Sequence, residues 1–442
     1  MNIIKIGGAV LKSQRGFEAM LNILNEHTQR PLLIVISAFS KATRELEKAA
    51  KLAESGAEKD AYKILDTVIE EHIAFATNLL KDPATLESLT MLFESSKQRL
   101  YEFAKGLNIT GELTARTLDA ILSFGEFFAL HTVNHYLKEQ GFSVYCVDST
   151  SLIVSDDNYG NARPLIKETA KQIKDKLIPK IDNNSIVLTQ GFVAKNRSGE
   201  TTTMGIESSN LTAVLYAEIL NAKTITFWTD VCGIRTADPK VVKNSLPVSA
   251  LSYEDAFKAA SNGLKLIHPQ MLEHISNQKI SLVYKSAFEP VADETMIAEQ
   301  RNISPKTMVI AYEDLLFTEI QFSNGFSKTE ADSMINKILL ETNDIIMHSV
   351  FSESIRIIFK KSGRIEKMLK RKFNHDFAQP CTVITILHAE NFRYKFVNNI
   401  ILDKFIDSII NFDCNPETIR LIVKPEISSE ILVALHEFTF GN

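Results

Sequence analysis

The chain lacks several features that would place it in a narrow class. It has only four cysteines in 442 residues, Cys146, Cys232, Cys381 and Cys414. They lie far apart and form no Cys-x-x-Cys pair, so neither a disulfide framework nor a zinc site is expected. Free thiols in a reducing cytoplasm are the simple reading. Long hydrophobic runs are also missing: the longest, Pro31 to Phe39, has nine residues, against the ~20 that a membrane-spanning helix needs. At the N-terminus Lys5, Lys12 and Arg15 interrupt the apolar stretches, which argues against a secretory signal. There is no excess of positive charge either, with 49 Lys and Arg against 54 Asp and Glu, a net charge of −5. Such a chain has no overall field to hold nucleic acid phosphates, and neither nucleic acid nor a membrane is expected as a partner.

The remaining composition, 45% hydrophobic and 23% charged, is that of a folded globular protein. The length is about three times a ~150-residue domain, so two or three domains are expected. Short apolar runs alternate with helical stripes over the first two thirds of the chain. The runs are Ile3 to Ile6, Leu32 to Ser37, Val144 to Val147, Ile186 to Thr189, Thr224 to Trp228 and Ile280 to Tyr284. Most show no polar alternation, which indicates strands buried on both faces and a mostly parallel sheet covered by helices. From Thr43 to Gln140 the pattern is helical, with punctuation expected near Gly56, Pro83 and Gly106.

The last third repeats itself. Phe317 to Phe322 matches Cys381 to Ile386, and Ser354 to Lys360 matches Thr418 to Lys424, both at an offset of 64. Two matches at one offset predict a duplicated α+β module. Its order reads strand 317–322, helix 328–341, strand 345–350, strand 355–360, helix 365–371. The segment Gln300 to Lys306 reads as a linker.

Three loops place glycines, small hydroxyls and lysines at the ends of expected strands, where open parallel sheets bind ligands. The first is Lys5-Ile6-Gly7-Gly8, whose backbone amides can approach an anion. The second runs from Gly191-Phe192 through Thr201 to Thr203 and on to Ser208-Ser209, just ahead of a helix. Taken alone, this loop fits an ordinary hairpin and helix cap better than an anion pocket. The third is Trp228-Thr-Asp-Val-Cys-Gly-Ile-Arg-Thr-Ala-Asp-Pro-Lys240. Lys265 follows in Gly263-Leu-Lys-Leu-Ile-His-Pro269, where a lone lysine is ordinarily a solvated charge.

Together these loops resemble the amino-acid kinase superfamily, and within it the aspartate kinases. The Lys5 to Gly8 turn, Ile36-Ser37-Ala38 with Thr43, Ser123-Phe-Gly-Glu126, Gly191-Phe192, Trp228 to Pro239 and Lys265 with His268-Pro269 follow that family's order and spacing. The duplicated module resembles tandem ACT modules, and Leu435-His436 resembles their closing helix. The resemblance implies a carbamate-kinase-like α/β catalytic domain over residues 1–300 and two ferredoxin-like ACT modules over 301–375 and 376–442. It also implies ATP with Mg²⁺ and L-aspartate or a related amino acid as substrates. An amino-acid effector at the ACT modules and a homodimer or larger assembly are expected on the same basis. Lys5 and Lys265 would be catalytic. Gly7, Gly8, Thr229, Asp230, Gly233, Ile234, Lys240 and Lys265 would bind the nucleotide, while Thr43, Glu126 and Ser209 would bind the amino acid. No protein metal ligand is implied.

The acceptor loop departs from the family pattern. The family's Arg, which meets the substrate α-carboxylate, falls on Ile206, and its Asp falls on Asn210. A charge-assisted hydrogen bond contributes roughly 1.5–3 kcal/mol, so this loss corresponds to about tenfold to a hundredfold weaker recognition unless Arg197 or Arg163 takes over. Glu207 adds negative charge, Ala9-Val10 removes two hydroxyls, and Arg235 replaces a Tyr. Three readings stay open: a divergent aspartate kinase, a kinase for another amino acid or carboxylate, and an amino-acid sensor with weak or no catalysis.

Overall fold

The computed structural model describes the chain apart from residues 27–28, 40, 206–207, 268, 300–305, 322–327, 342–344, 352, 362–364, 367, 371–377, 390–403, 416 and 442. It separates into two compact units. The first holds Met1–Ile234 and Gln270–Gln300; the second holds Arg235–Pro269 and Arg301–Asn442.

The first unit begins with β1 (Asn2–Ile6), α1 (Gln14–Glu26) and β2 (Leu32–Ile36). Four long helices follow: α2 (Ala42–Glu54), α3 (Glu58–Leu79), α4 (Pro83–Thr110) and α5 (Ala115–Glu139). Next come β3 (Val144–Cys146), β4 (Val154–Ser155), α6 (Ile166–Gln172), β5 (Ile186–Gln190), β6 (Val193–Asn196), β7 (Thr201–Thr203), α7 (Ser209–Ile219) and β8 (Thr224–Thr229). In the second unit lie β10 (Pro247–Val248), β11 (Ala250–Ser252) and α8 (Tyr253–Ser261), reached through β9 (Ile234–Arg235). Then α9 (Pro269–Gln278), β12 (Ser281–Ser286) and β13 (Thr295–Ala298) complete the first unit.

Its main sheet runs β13-β12-β8-β1-β2-β5-β3. All neighbours are parallel except β12 and β13. β2 and β5 are buried along their whole length, as the apolar run of β2 and the Ile-Val-Leu-Thr run of β5 require, with Gln190 at the end of β5 hydrogen-bonded to Asp148 and the Ser149 N–H. Each of the Leu, Ile and Val side chains of β2 contributes roughly 1.5–3 kcal/mol on burial. Asp82 caps α4 by accepting from Thr85 N–H at 3.0 Å, with Pro83 in the first turn, and Thr114 caps α5 through Thr117 N–H at 3.1 Å. The break expected at Gly106 does not occur. α4 runs through it and stops at Gly111, whose φ of 63° is left-handed. A mid-helix glycine costs ~1 kcal/mol, which the buried Leu100, Ala104 and Leu107 around it outweigh.

In the second unit a six-stranded antiparallel sheet runs β15-β16-β14-β17-β19-β18. Its strands are β14 (Met308–Gln321), β15 (Ile345–Val350), β16 (Ser354–Lys360), β17 (Gln379–Leu387), β18 (Ile409–Cys414) and β19 (Thr418–Val423), with α10 (Lys328–Glu341) and α11 (Ser428–Phe440). The duplication reappears as β15 with β18 and β16 with β19 at the same offset. β14 is longer than the expected strand. Its second half pairs with β16, and both halves pair with β17 around a bulge between Tyr312 and Leu315. Of the expected linker only Lys306 is described, and residues 367 and 371 of the expected 365–371 helix also lie outside the described residues. The fold is thus α/β with a mostly parallel, helix-covered sheet, followed by an antiparallel sheet of ACT type.

Candidate active site

Because β1, β2, β5 and β8 are parallel, the turns that leave them emerge at one edge of the sheet. Lys5 is half-buried near the end of β1. Gly7 N–H donates to the Trp228 carbonyl at 3.0 Å, joining the turns after β1 and β8. A Cβ built on Gly7 would lie 3.8 Å from Lys5 Nζ, so the ammonium folds back over the glycine turn. On Gly8 a Cβ would stand 2.0 Å from the Ala38 carbonyl oxygen, and no side chain fits where this turn presses against the end of β2.

Gly125 sets α5 against the start of α2 at ordinary contact distance. A Cβ there would be 3.4 Å from Ala38 Cβ and 3.5 Å from Thr43 Oγ1. The next residue, Glu126, is thereby carried inward and is only 4% exposed. Its Oε1 accepts from Ala38 N–H at 3.3 Å, whereas Oε2 has no hydrogen-bond partner among the described residues. Burial pushes the carboxyl up to about 8, against the opposing pull of the Ala38 and Glu126 amides. The unliganded side chain therefore holds its proton at neutral pH, and a cationic group brought to Oε2 would replace it.

The turn after β5 completes this part. Gly191 N–H donates to the Ile36 carbonyl at 2.9 Å, and a Cβ on Gly191 would be 2.5 Å from Ser209 Cα. The first turn of α7, with Ser208, Ser209 and Asn210 buried, thus rests on a glycine. Phe192 adopts a left-handed φ of 69° and donates its N–H to Thr212 Oγ1 at 3.3 Å. Ile206 and Glu207 lie outside the described residues.

After β8, Thr229 Oγ1 donates to the Val231 carbonyl at 2.8 Å, and Ile234 N–H donates to Thr295 Oγ1 at 2.7 Å. Gly233 has a φ of 62°, and a Cβ on it would lie 2.7 Å from Thr295 Oγ1. The Thr229–Ile234 loop is therefore fastened at both ends, with Asp230 half-buried between them.

The structure thus gathers Lys5, Gly7, Gly8, Thr43, Glu126, Ser209, Thr229, Asp230, Gly233 and Ile234 within the first unit. Lys240 and Lys265 are carried by the second. Lys240 is exposed, and its N–H donates to Asp238 Oδ1 at 2.9 Å. Lys265 Nζ pairs with Glu313 Oε2 at 2.8 Å, both groups being largely in solvent. His268, its companion in the motif, lies outside the described residues. Of the two arginines considered as replacements, Arg197 is engaged by Glu168, Nε to Oε1 at 3.1 Å. Arg163 is exposed, with its backbone N–H on Asp156 Oδ1 at 2.9 Å. No disulfide joins the four cysteines, of which Cys381 is buried and the other three half-buried. Among the described residues no group of three His, Cys, Asp or Glu side chains could hold a metal ion, and no helix is long and apolar enough to cross a membrane.

Sequence reasoning passed over Asp119, on α5 two turns before Glu126. It is 1% exposed and accepts from Gly160 N–H at 2.9 Å, Thr203 N–H at 2.8 Å and Thr203 Oγ1 at 2.6 Å. Burial pushes its carboxyl up despite these donors. The available signal was a single acid inside the apolar stretch Leu118 to Leu122.

Glycine turns at the carboxyl edge of a parallel sheet, with an ammonium above them and a buried acid alongside, define an α/β protein built to receive an anionic ligand beside a second, polar one. Residues 1–285 match the model of the amino acid kinase family, and the chain belongs to that family. Aspartokinase 1, chloroplastic, of Arabidopsis thaliana is 28% identical over 307 residues, 68% of this chain and 52% of its own. Lysine-sensitive aspartokinase 3 of Escherichia coli is 29% identical over 318 residues, 70% of this chain and 66% of its own. The chain spans about half the length of the chloroplast relative. Among solved structures, E. coli aspartokinase III in complex with aspartate and ADP (R-state) superposes with a TM-score of 0.85 at 19% identity, covering 100% of both chains. The same enzyme with lysine and aspartate (T-state) gives 0.72 at 20% identity, covering 99% of both. These two show that the fold is shared.

Proposed function

We propose that the chain is an aspartate kinase, transferring the γ-phosphoryl group of ATP to the side-chain carboxylate of L-aspartate. The observation that carries this reading is the Lys5–Gly8 turn held against Ala38 beside Glu126, in a chain whose sequence relatives over two thirds of its length are aspartokinases. In this reading a carboxylate oxygen of the acceptor attacks the γ-phosphorus in line, an O–P bond forms and the bond to the ADP oxygen breaks. Little covalent work falls to the protein, which supplies placement and positive charge. Lys5 neutralises the moving phosphoryl group, while the Gly7–Gly8 turn lines its path. Thr229, Asp230, Gly233, Ile234, Lys240 and Lys265 serve the nucleotide. Glu126, having given up its proton, meets the acceptor's ammonium, and Thr43 and Ser209 offer it hydroxyls. The Mg²⁺ expected with ATP would ride on the phosphates, in keeping with its preference for phosphate oxygens and water, and would spread their charge.

Purified protein with ATP, Mg²⁺ and L-aspartate should form an acyl phosphate that hydroxylamine traps. No product from aspartate, with product from another acid, would replace the acceptor. That second reading is favoured by Asn210, buried in the first turn of α7 where the family carries an acid.

The proposal extends to the second unit: an amino-acid effector at the ACT sheet, a homodimer or larger assembly, and a cytoplasmic setting suited to cysteines that form no disulfide. Support for the effector is that the E. coli neighbour was solved with lysine. A thermal shift with lysine, threonine or methionine tests it.

A further inference from the structure

We propose that Asp119 is a positioning residue for the acceptor side of the site, fixing Thr203 and through it Met204, Gly205 and Ser208, so that Ser209 is held at a set spacing from Glu126. This deepens the reading above and rests on it for the identity of the acceptor.

Asp119 and Glu126 are seven residues apart on α5, close to two full turns, so both project from one face about 10 Å apart along the axis. One helix therefore carries two buried carboxyls to two ends of the same site. Glu126 meets the turn after β2 through Ala38. Asp119 instead takes both donors of Thr203, the last residue of β7, together with the Gly160 amide. Met204 N–H donates to the Phe192 carbonyl at 2.9 Å, and the Thr203 carbonyl accepts from Ala162 N–H at 2.9 Å. Gly205, with a φ of 90°, passes so close to the 160–161 turn that a Cβ would stand 3.0 Å from Asn161 Oδ1. At the far end Ser208 N–H donates to the Gly205 carbonyl at 3.2 Å, and Ser209 abuts Gly191.

Thr203 at the end of β7 and Gly160 in its turn are thus joined by one carboxylate. Asp119 is 84 positions from Thr203 and 41 from Gly160, so this junction is a buried link from α5 to both, beside the more exposed pair of Arg116 with Glu200 at 2.8 Å. Removing it would leave the buried N–H and Oγ1 of Thr203 without this acceptor, along with the part-buried Gly160 N–H, and the end of β7 would shift to find others. Glu126 would stay with Ala38, and the spacing between Glu126 and Ser209 would be set from the Gly191 side alone.

The experiment compares Asp119→Ala, Asp119→Asn and Thr203→Val by amide hydrogen exchange and by steady-state kinetics with L-aspartate and ATP. Asn keeps an oxygen for the two N–H groups and can donate its amide to Thr203 Oγ1, so it should rescue. Expected for Asp119→Ala are faster exchange confined to residues 158–162 and 201–210, and a KM for aspartate raised tenfold or more with the KM for ATP within twofold. Asp119→Asn should stay within threefold of the parent, and Thr203→Val, which removes one hydrogen bond and keeps the shape, should raise the aspartate KM about threefold. A purely structural residue would lower the active fraction and leave both KM values alone, and that result overturns the proposal. So does unchanged exchange in 201–210, or a rise of both KM values together. If the parent protein makes no product from aspartate, the acceptor assignment falls and the exchange comparison alone decides the role of Asp119. Should Asp119→Ala not fold, the same criteria apply to Thr203→Val.

Discussion

Replacing Glu126 by Gln removes the ionisation of a carboxyl that the fold holds near 8 and leaves its shape in place. The unfolded chain releases this proton near 4.5, while the folded, unliganded chain keeps it to about 8. Between those values the native state binds a proton that the unfolded state does not, so stability falls as pH rises across the window and is level on either side. At ~1.36 kcal/mol for each tenfold step in proton affinity, the whole window removes ~5 kcal/mol. That is a large share of the ~5–15 kcal/mol by which a domain is stable. Glu126→Gln keeps an acceptor for Ala38 N–H and has no charge to bury, so its stability should lack this slope. Urea unfolding of ligand-free parent and variant from pH 4.5 to 8.5 would measure it. The two should nearly coincide at pH 4.5, and the variant should be several kcal/mol the more stable at pH 8. A difference that is flat with pH would refute the reasoning, because it would mean that Oε2 is solvated or paired. The same ionisation predicts that an acceptor ammonium displaces the proton. Calorimetric titration of the acceptor in two buffers of different ionisation enthalpy should then register release approaching one proton near pH 7, absent in Glu126→Gln.

Two further substitutions probe the glycine turn and the second unit. Gly8→Ala forces a Cβ to within 2.0 Å of the Ala38 carbonyl oxygen, which is backbone and cannot swing aside. Phosphoryl transfer should fall by at least a hundredfold and the melting temperature should drop, while full activity would mean that this turn is loose. Glu313→Gln releases Lys265 from its carboxylate partner 2.8 Å away. An exposed pair is worth ~0–1 kcal/mol, so the KM for ATP should fall, by no more than about fivefold, with kcat unchanged. This effect should vanish in a Lys265→Met background. A rise in KM would mean that Glu313 orients the lysine rather than competing for it.

Much of this was written in local sequence. Unalternated apolar runs such as Leu32–Ile36 have no stable place except inside a covered sheet, so the parallel core and its strands could be read directly. The 64-residue offset likewise carried the duplicated strands of the second unit, since each repeat spells out its own elements. The loops Lys5–Gly8 and Trp228–Ile234 were legible because tight turns and close backbone approaches restrict residue type over a few positions. Tertiary structure alone decided the rest. Glu126 is buried, and its carboxyl pushed up, because α5 packs on Ala38, 88 residues earlier in the chain. Asp119 became an anchor because α5 meets Thr203, which no local pattern encodes. The segment Arg235–Pro269, which reads as a continuation of the nucleotide motif, packs with the C-terminal unit. There Thr236 bonds His436, 200 residues away, and Asp255 bonds His388, 133 away. Periodicity and turn chemistry act between neighbours in the chain. Burial, charge state and the division into units depend on which distant surfaces exclude water from one another, and only the folded molecule settles that.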